Sequence, residues 1–145
     1  MLITRETDYA LRMLRVLLDG EKHSAAEMAE TELIPMQFAY QILRKLSAGE
    51  LVQVSRGAAG GCRLSCDLRG VSLYDLMAVM GEHDVLCACM EPGYDCRWQS
   101  EHGKCAIHCQ LMELQRKQDE AFRAVSLHRL LTGEAIQKEE VTQQT

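Results

Sequence analysis

The sequence has no long hydrophobic run and no basic leader. A membrane-spanning helix needs about 18 or more consecutive apolar residues, and a secretory leader needs a positively charged start before its apolar segment. The first residues, MLITRETDYALRMLRVLL, meet neither condition, and no later window is apolar enough to span a membrane. We therefore expect a cytoplasmic protein without a membrane span.

The sequence also lacks an excess of positive charge. Its net charge at pH 7 is −5 and its isoelectric point is near 5.5. This acidity argues against a protein that coats nucleic acid without regard to sequence. Because the acidic excess lies after residue 70, the first half of the chain leaves room for a local basic surface.

The cysteines are concentrated in one short segment. Residues 87–109, CACMEPGYDCRWQSEHGKCAIHC, contain five of the seven cysteines and two of the five histidines. Thiols stay reduced in the cytoplasm, so clustered cysteines there indicate metal ligands or redox-sensitive thiols rather than structural disulfides. An odd number of cysteines also fits poorly with a fully paired disulfide framework.

The first 50 residues have the pattern of a helix, a turn and a further helix. Apolar residues at helical spacing predict a first helix over residues 5–18. Ser24 and Glu27 form a capping-box pattern that opens a short second helix. Pro35 suits the first turn of a third helix, which Gly49 ends.

A small hairpin should follow these three helices. Alternating residues predict short strands around 52–54 and 63–64, joined by the glycine-rich connection 57–61. Three helices and a hairpin make a winged helix-turn-helix. Ser72 and Asp75 repeat the capping-box pattern at the start of a fourth helix.

A stripe of mostly apolar residues recurs every three or four positions after the cysteines. Its members are Ile107, Leu111, Leu114, Gln118, Ala121 and Val125. A small neighbouring domain cannot bury such a stripe, which favours packing against the same helix of a second copy in a two-fold dimer. The alternative is a stripe that lies along its own domain.

These patterns predict a mainly α fold with a small β-hairpin, a winged helix-turn-helix followed by a long C-terminal dimerisation helix. We divide the chain into a DNA-binding domain at 1–82, a cysteine-rich loop at 83–104 and the dimerisation helix at 105–131. The polar tail 132–145 is expected to be frayed. Cys62 and Cys66, outside the cysteine-rich loop, are expected to be small buried residues rather than ligands.

Several motifs in this order carry a resemblance. The stretches TDYALRML, LIPMQFAYQILRKLSAGELV and SRGAAGG, followed by a helix, a cysteine loop and a long terminal helix, resemble the IscR/NsrR family of bacterial iron–sulfur transcription regulators. The likeness extends to about Gly133. It implies a dimeric winged-helix repressor or activator that binds double-stranded DNA and carries an iron–sulfur cluster.

The third helix offers polar groups that could reach bases or phosphates in the major groove. These candidate DNA contacts are Gln37, Tyr40, Gln41, Arg44 and Lys45. In the hairpin, Arg56 precedes flexible glycines and could enter the minor groove; the family resemblance implies the same role. The alternative for each helix residue is a merely solvated face. A two-fold dimer would read a palindromic operator.

The resemblance also implies a ligand set for the cluster. Its three-cysteine pattern falls on Cys89, Cys96 and Cys105, with Cys87 as an alternative to Cys89. The CAIH sequence places His108 on the same helix face as Cys105, which matches the fourth ligand of the IscR branch. Asp8 matches the NsrR branch, where an acidic residue of the other subunit is the ligand. Cys109 is a further alternative.

Other functions for the cysteines stay open at this stage. The same residue types make tetrahedral zinc sites, although no tight Cys-x-x-Cys pair is present. Oxidation of paired thiols is another possibility, as is an interaction module that holds another protein. Nothing outside the cysteine segment offers a placed acid or base, so we predict that the chain is not an enzyme. The cluster type, 2Fe-2S or 4Fe-4S, and the signal, whether iron, nitric oxide or redox state, stay open.

Overall fold

The computed structural model describes residues 2–82 and 85–134. Residue 83, where the predicted cysteine loop begins, and residues 135–145 of the predicted tail lie outside this part. The helices and strands of the described part, in chain order, are α1 Arg5–Val16, α2 Ala25–Thr31, α3 Met36–Ala48, β1 Val52–Ser55, β2 Gly61–Leu64, α4 Leu73–Met80, α5 Arg97–His102, α6 Ala106–Arg123 and α7 Leu127–Thr132. Short 3-10 turns lie at Leu17–Asp19, Leu68–Gly70 and Ala88–Met90.

The helix-turn-helix forms where the sequence predicts it. Ser24 accepts a hydrogen bond from the Glu27 N–H, and the Glu27 carboxylate accepts one from the Ser24 N–H, so the predicted capping box opens α2. Pro35 takes the N-cap position of α3 rather than a place in its first turn. Leu33 adopts a left-handed backbone conformation in the turn between α2 and α3.

The core lies between α1, α3 and α4, and α7 closes one side of it. Among the described residues, the largest fully buried hydrophobic side chains are Met13, Leu14, Leu17, Met28, Ile42, Leu46, Leu68, Leu76 and Leu127. At Gly49 a Cβ atom would come within 2.6 Å of both γ carbons of Val79. The absence of a side chain there lets the end of α3 pack closely against α4. No described helix is long and apolar enough to cross a membrane.

The hairpin is an antiparallel pair in which Val52 lies opposite Leu64 and Val54 opposite Cys62. It is attached to the segment before α2, because the Cys62 and His23 backbones exchange hydrogen bonds of 2.8 and 3.0 Å. The Cys62 side chain is 3 % exposed, and this burial raises the pKa of its thiol. The prediction that Cys62 is a small buried residue is confirmed.

The chain after the cysteine segment forms two helices where the sequence predicts one over residues 105–131. The α6 helix ends at Arg123, and the next residues turn back to the start of α4. There the Leu73 N–H donates to the Val125 carbonyl at 2.9 Å, and the Leu127 N–H donates to the Val71 carbonyl at 2.8 Å. Backbone pairing to a distant segment therefore replaces helical hydrogen bonds at this point.

This break divides the predicted apolar stripe. Val125 and Leu127 are buried in the chain's own domain, whereas Ile107 is 71 % and Leu114 is 53 % exposed. The interpretation of the stripe as packing on its own domain is thus correct for its C-terminal end. The N-terminal half of α6 leaves apolar side chains on the surface.

The predicted capping box at α4 supports a stability prediction. The Ser72 hydroxyl accepts from the Asp75 N–H at 3.2 Å, and the Asp75 carboxylate accepts from the Ser72 N–H at 2.8 Å. Ser72→Ala is expected to lower the free energy of unfolding by about 1 kcal/mol, because it removes the acceptor for an otherwise unpaired helix N–H. Urea denaturation followed by circular dichroism measures this change.

Ser72→Thr is the matched control, since it keeps a hydroxyl at the cap and should stay near the wild-type stability. The hydrogen bonds from the Ser72 hydroxyl and backbone N–H lower the pKa of Asp75. A lowered carboxyl pKa stabilises the fold above the carboxyl's ordinary range, and this stabilisation is lost as the pH falls through the lowered value. The difference between wild type and Ser72→Ala should therefore shrink in acid; equal stability of the two at neutral pH would contradict the assignment.

Candidate functional site

The cysteine segment lies against the first half of α6. Its polypeptide passes through the 3-10 turn at Ala88–Met90 and then through α5. The Leu86 N–H donates a 2.8 Å hydrogen bond to the side-chain oxygen of Gln115 on α6. This contact fixes the start of the segment beside the helix that carries Cys105 and His108.

Four of the candidate donor groups lie close together at this place. The Cys89 Sγ atom lies 3.2 Å from Nδ1 of His108 and 3.5 Å from Sγ of Cys87. The Cys105 Sγ atom caps α6 and accepts from the His108 N–H at 3.5 Å. All four side chains are half-buried. The cysteine-rich segment and α6 thus bring soft donors from distant parts of the sequence into contact.

The thiols of this cluster influence one another. The hydrogen bond that Cys89 donates to the Cys87 sulfur raises the pKa of Cys89, and the negative charges of Cys87, Cys96 and Cys105 act in the same direction. The pKa of Cys87 is lowered, chiefly because the Cys89 N–H donates to its sulfur. Cys96 is half-buried at the N-cap of α5.

The donor chemistry fits an iron–sulfur cluster, whose irons prefer thiolate ligands and accept imidazole. No group of three or more His, Cys, Asp or Glu side chains in residues 2–82 and 85–134 is arranged to hold one metal ion. In a cluster, two ligands of the same iron can lie about as close together as Cys89 and His108 do, whereas ligands of different irons stand farther apart, because iron and sulfide atoms lie between them.

The two remaining candidate ligands have other surroundings. Asp8 lies on α1 and forms an ion pair of 2.9 Å with Arg12, one turn along the helix. Cys109 is half-buried on α6, one turn after Cys105. Within the segment, the Trp98 ring stacks on His102 with centroids 4.8 Å apart, and Trp98 is 51 % exposed.

A second candidate surface lies between α3 and the hairpin. It is a groove with a volume of about 1110 Å³, lined on one side by Tyr40, Gln41 and Arg44 and on the other by Ser55 and Gly57. These three α3 side chains are exposed, as are the candidate contacts Gln37 and Arg56. The structure therefore brings the predicted DNA contacts of α3 to the same surface as the hairpin.

Lys45 differs from the other candidate DNA contacts. It is half-buried, and its ammonium donates to a Glu6 carboxylate oxygen at 2.5 Å and to the Met80 carbonyl at 3.1 Å. The other oxygen of the Glu6 carboxylate accepts from the Gln41 side-chain amide at 3.0 Å. Glu6 was not predictable from the sequence, because its partners are 35 and 39 residues away and no local pattern connects them.

Comparison with known proteins identifies the family. A family model described as Rrf2, iron-dependent transcriptional regulator, matches residues 3–133. The chain belongs to the Rrf2 family. It is therefore a DNA-binding transcriptional regulator, and the prediction that it is not an enzyme is confirmed by its membership of this family.

Curated relatives agree with this assignment. The chain is 34 % identical over 99 residues to Protein aau3 of Rhizobium meliloti (strain 1021), an alignment that covers 66 % of this chain and 64 % of that protein. The chain thus spans just under two thirds of the length of this relative. It is 25 % identical over 139 residues to the HTH-type transcriptional regulator IscR of Vibrio parahaemolyticus, which covers 94 % of this chain and 80 % of that protein. The predicted resemblance to IscR is confirmed.

Two solved structures have the same fold. CymR, described as the global cysteine regulator of B. subtilis, superposes with a TM-score of 0.69 at 17 % identity, covering 93 % of this chain and 99 % of that chain. T. potens IscR superposes with a TM-score of 0.65 at 16 % identity, covering 95 % of this chain and 94 % of that chain. The winged-helix prediction is thereby confirmed.

Proposed function

We propose that this Rrf2-family regulator is a homodimer that binds a palindromic operator and holds an iron–sulfur cluster through Cys89, Cys96, Cys105 and His108. The observation that carries the proposal is the contact of Cys89, from the cysteine segment, with His108 on α6, where Cys105 caps the same helix. The fold is common to IscR and to the cysteine regulator CymR, so the donor groups rather than the fold favour the cluster.

His108 is preferred to Asp8 as the fourth ligand. The His108 ring already lies beside the Cys89 sulfur, at 3.2 Å, whereas the Asp8 carboxylate is paired with Arg12. Ligation by Asp8 would require a second copy of the chain to bring this carboxylate to the segment and would break that ion pair. An imidazole ligand also raises the reduction potential relative to a site with cysteines alone.

A bound cluster supplies chemistry that responds to iron supply, nitric oxide or redox state. The residues of this chain determine what such a response would move. Cys89 and Cys96 lie in the cysteine segment, whereas Cys105 and His108 lie at the start of α6. Ligands on both sides would hold the segment against the helix, and loss of this connection would release the segment from α6. The orientation of α6 is then the quantity that couples the cysteine site to DNA binding.

The dimer is proposed from the exposed apolar side chains of α6. Ile107, Met112 and Leu114 are 71, 47 and 53 % exposed, and Val85 and Leu86 of the adjoining segment are 37 and 42 % exposed. Ile107 and Leu114 are seven residues apart and so lie on the same face of the helix, and exposed apolar side chains grouped on one face favour a protein partner. A second copy is the occupant we propose, since a two-fold interface pairs the same helix of both chains.

DNA contact is proposed for the groove between α3 and the hairpin. Gln37, Tyr40 and Gln41 can meet base edges in the major groove, whereas Arg44 suits a phosphate. Arg56 at the exposed end of the hairpin can reach the minor groove or the backbone. In a two-fold dimer the two α3 helices would read half-sites about one turn of DNA apart.

Purification without air tests the proposal as a whole. We expect a brown dimer with iron and acid-labile sulfide in equal amounts; Mössbauer spectroscopy then distinguishes 2Fe-2S from 4Fe-4S. Footprinting on sequences selected from random duplexes should find a palindrome, with an affinity that falls as the salt concentration rises. A colourless zinc protein, or one with neither metal nor sulfide, would refute the cluster. A monomer, or binding without sequence preference, would refute the proposal that a dimer binds a palindromic operator.

A further inference from the structure

Glu6 in the first turn of α1 holds two side chains of α3. Its Oε1 atom accepts from the Gln41 amide nitrogen at 3.0 Å, and its Oε2 atom accepts from the Lys45 ammonium at 2.5 Å. The Glu6 and Lys45 side chains are only 28 and 33 % exposed, while Gln41 is exposed. The carboxylate therefore lies behind Gln41, between the DNA-facing surface of α3 and the body of the domain.

This contact decides which end of the Gln41 amide faces outward. A free glutamine amide turns over readily, so that it presents either its oxygen or its NH₂ group. An ionised carboxylate can only accept hydrogen bonds, so the group of Gln41 that faces Glu6 must be the NH₂ group. The Gln41 carbonyl oxygen is thereby directed away from Glu6, and one amide N–H stays available beside it.

The orientation has a consequence for base reading. An outward carbonyl oxygen with an N–H beside it matches adenine, which presents the N6 amino group as donor and N7 as acceptor in the major groove. Guanine presents two acceptors, N7 and O6, at the corresponding positions, so the Gln41 oxygen would face a guanine oxygen without a hydrogen bond. With the amide reversed, the NH₂ group would instead suit guanine O6. A fixed amide discriminates between these bases, and a freely turning one does not.

The positive charge of Lys45 reduces the electrostatic repulsion between the Glu6 carboxylate and the DNA phosphates. The ammonium offsets the carboxylate's negative charge at the edge of the phosphate-binding surface and also donates to the Met80 carbonyl at 3.1 Å. This ties Glu6 and α3 to the end of α4. Lys45 thus has a use that does not require it to contact a phosphate.

We propose that Glu6 is a positioning residue for operator specificity, which fixes the side-chain amide of Gln41 so that it reads adenine at one base pair of each half-site. The inference rests on the proposed contact of α3 with DNA. It assigns Glu6 no contact with the DNA itself.

Single-base competition tests the proposal. An operator is first selected with the wild-type protein, and each base pair of a half-site is then changed in turn. At the position read by Gln41, located as the one where Gln41→Ala loses its preference, wild type should favour adenine over guanine on the order of tenfold. Glu6→Gln should lose most of this preference, because glutamine can either donate or accept and no longer fixes the amide. At all other positions, the ratio of the affinities for two bases should stay within about twofold of the wild-type ratio.

The matched control is Glu6→Gln in the Gln41→Ala background, where it should not alter base preference at any position. If Glu6→Gln bound every duplex more tightly by the same factor, the substitution would have acted only by removing a negative charge. This result would overturn the proposal. Unchanged adenine preference in Glu6→Gln would also overturn it. Wild-type protein without any preferred sequence would instead refute the proposed operator reading, so the two failures are distinguishable. Circular dichroism melting verifies that each variant is folded.

Discussion

Cys89→Ser is expected to lose nearly all cluster-bound iron when the protein is purified without air. A serine hydroxyl is less acidic than a thiol, and its oxygen is a harder donor than sulfur. Serine therefore replaces a sulfur ligand of iron poorly. Cys105→Ser should have the same effect, because Cys105 holds the other side of the site at the start of α6. Iron and sulfide analysis together with the visible absorption spectrum measure the loss.

Cys66→Ser is the matched control for these substitutions. Cys66 is half-buried outside the cysteine segment, with its sulfur 4.0 Å from the Leu51 carbonyl, so its variant should retain full iron content. Cys87→Ser should also retain the cluster if Cys89 is the ligand. Loss of iron in Cys87→Ser with retention in Cys89→Ser would exchange their roles, and retention in both, and in Cys105→Ser, would contradict the proposed site.

The fourth ligand has a separate readout. His108→Cys should keep the cluster and lower its reduction potential, because imidazole ligation raises the potential relative to thiolate ligation. Asp8→Ala should leave iron content and potential unchanged. The opposite pattern, with a changed potential in Asp8→Ala only, would assign the fourth position to a carboxylate from a second chain.

The double substitution Ile107→Lys with Leu114→Lys is expected to convert the proposed dimer to a monomer. Burying side chains of this size stabilises an interface by about 1.5–3 kcal/mol each, and a lysine pair facing its own copy adds repulsion and the cost of burying charge. Operator affinity should fall by at least about 100-fold, since a monomer loses the linked second half-site. Light scattering measures the mass, and a mobility-shift titration measures the affinity.

The lysine substitutions at Ile107 and Leu114 test association without disturbing the fold of the single chain. Ile107 and Leu114 are 71 and 53 % exposed in the isolated chain, so lysine at these positions should cost the fold itself little. Leu33→Lys is the control, because Leu33 is 85 % exposed in the turn between α2 and α3 and should not alter the mass. Added positive charge favours DNA in general, so a loss of affinity in the double variant has to come from lost pairing. A double variant that stays dimeric would show that α6 is not the interface.

Features that depend on neighbours in sequence were predictable. The capping boxes at Ser24 and Ser72 each involve residues three positions apart, and both form as predicted. The hairpin strands and the burial of Cys62 also follow from local alternation and residue type. Such signals were sufficient for the winged-helix part of the chain.

Features that depend on contacts between distant segments were not predictable from the same patterns. The α6 helix breaks because residues after Arg123 pair with the backbone around Ser72, although the helical periodicity continues to Val125. Lys45 looked like a phosphate contact, yet Glu6 and the Met80 carbonyl hold it. The CAIH spacing placed Cys105 and His108 on one face, but the approach of Cys89 to His108 depends on the path of the whole loop.

The backbone pairing of Ser72 with Ser126 anchors the C-terminal end of α6 to the start of α4. The end with Cys105 and His108 contacts only the cysteine segment in the hydrogen bonds described above. The other end is joined by backbone hydrogen bonds to the start of α4. In the proposed mechanism, a displacement at the cysteines would therefore rotate α6 about this C-terminal end. Since α4 packs on α3, this rotation would reach the neighbour of the proposed DNA-binding helix, about one helix length, or roughly 27 Å for 18 residues, from the cysteines.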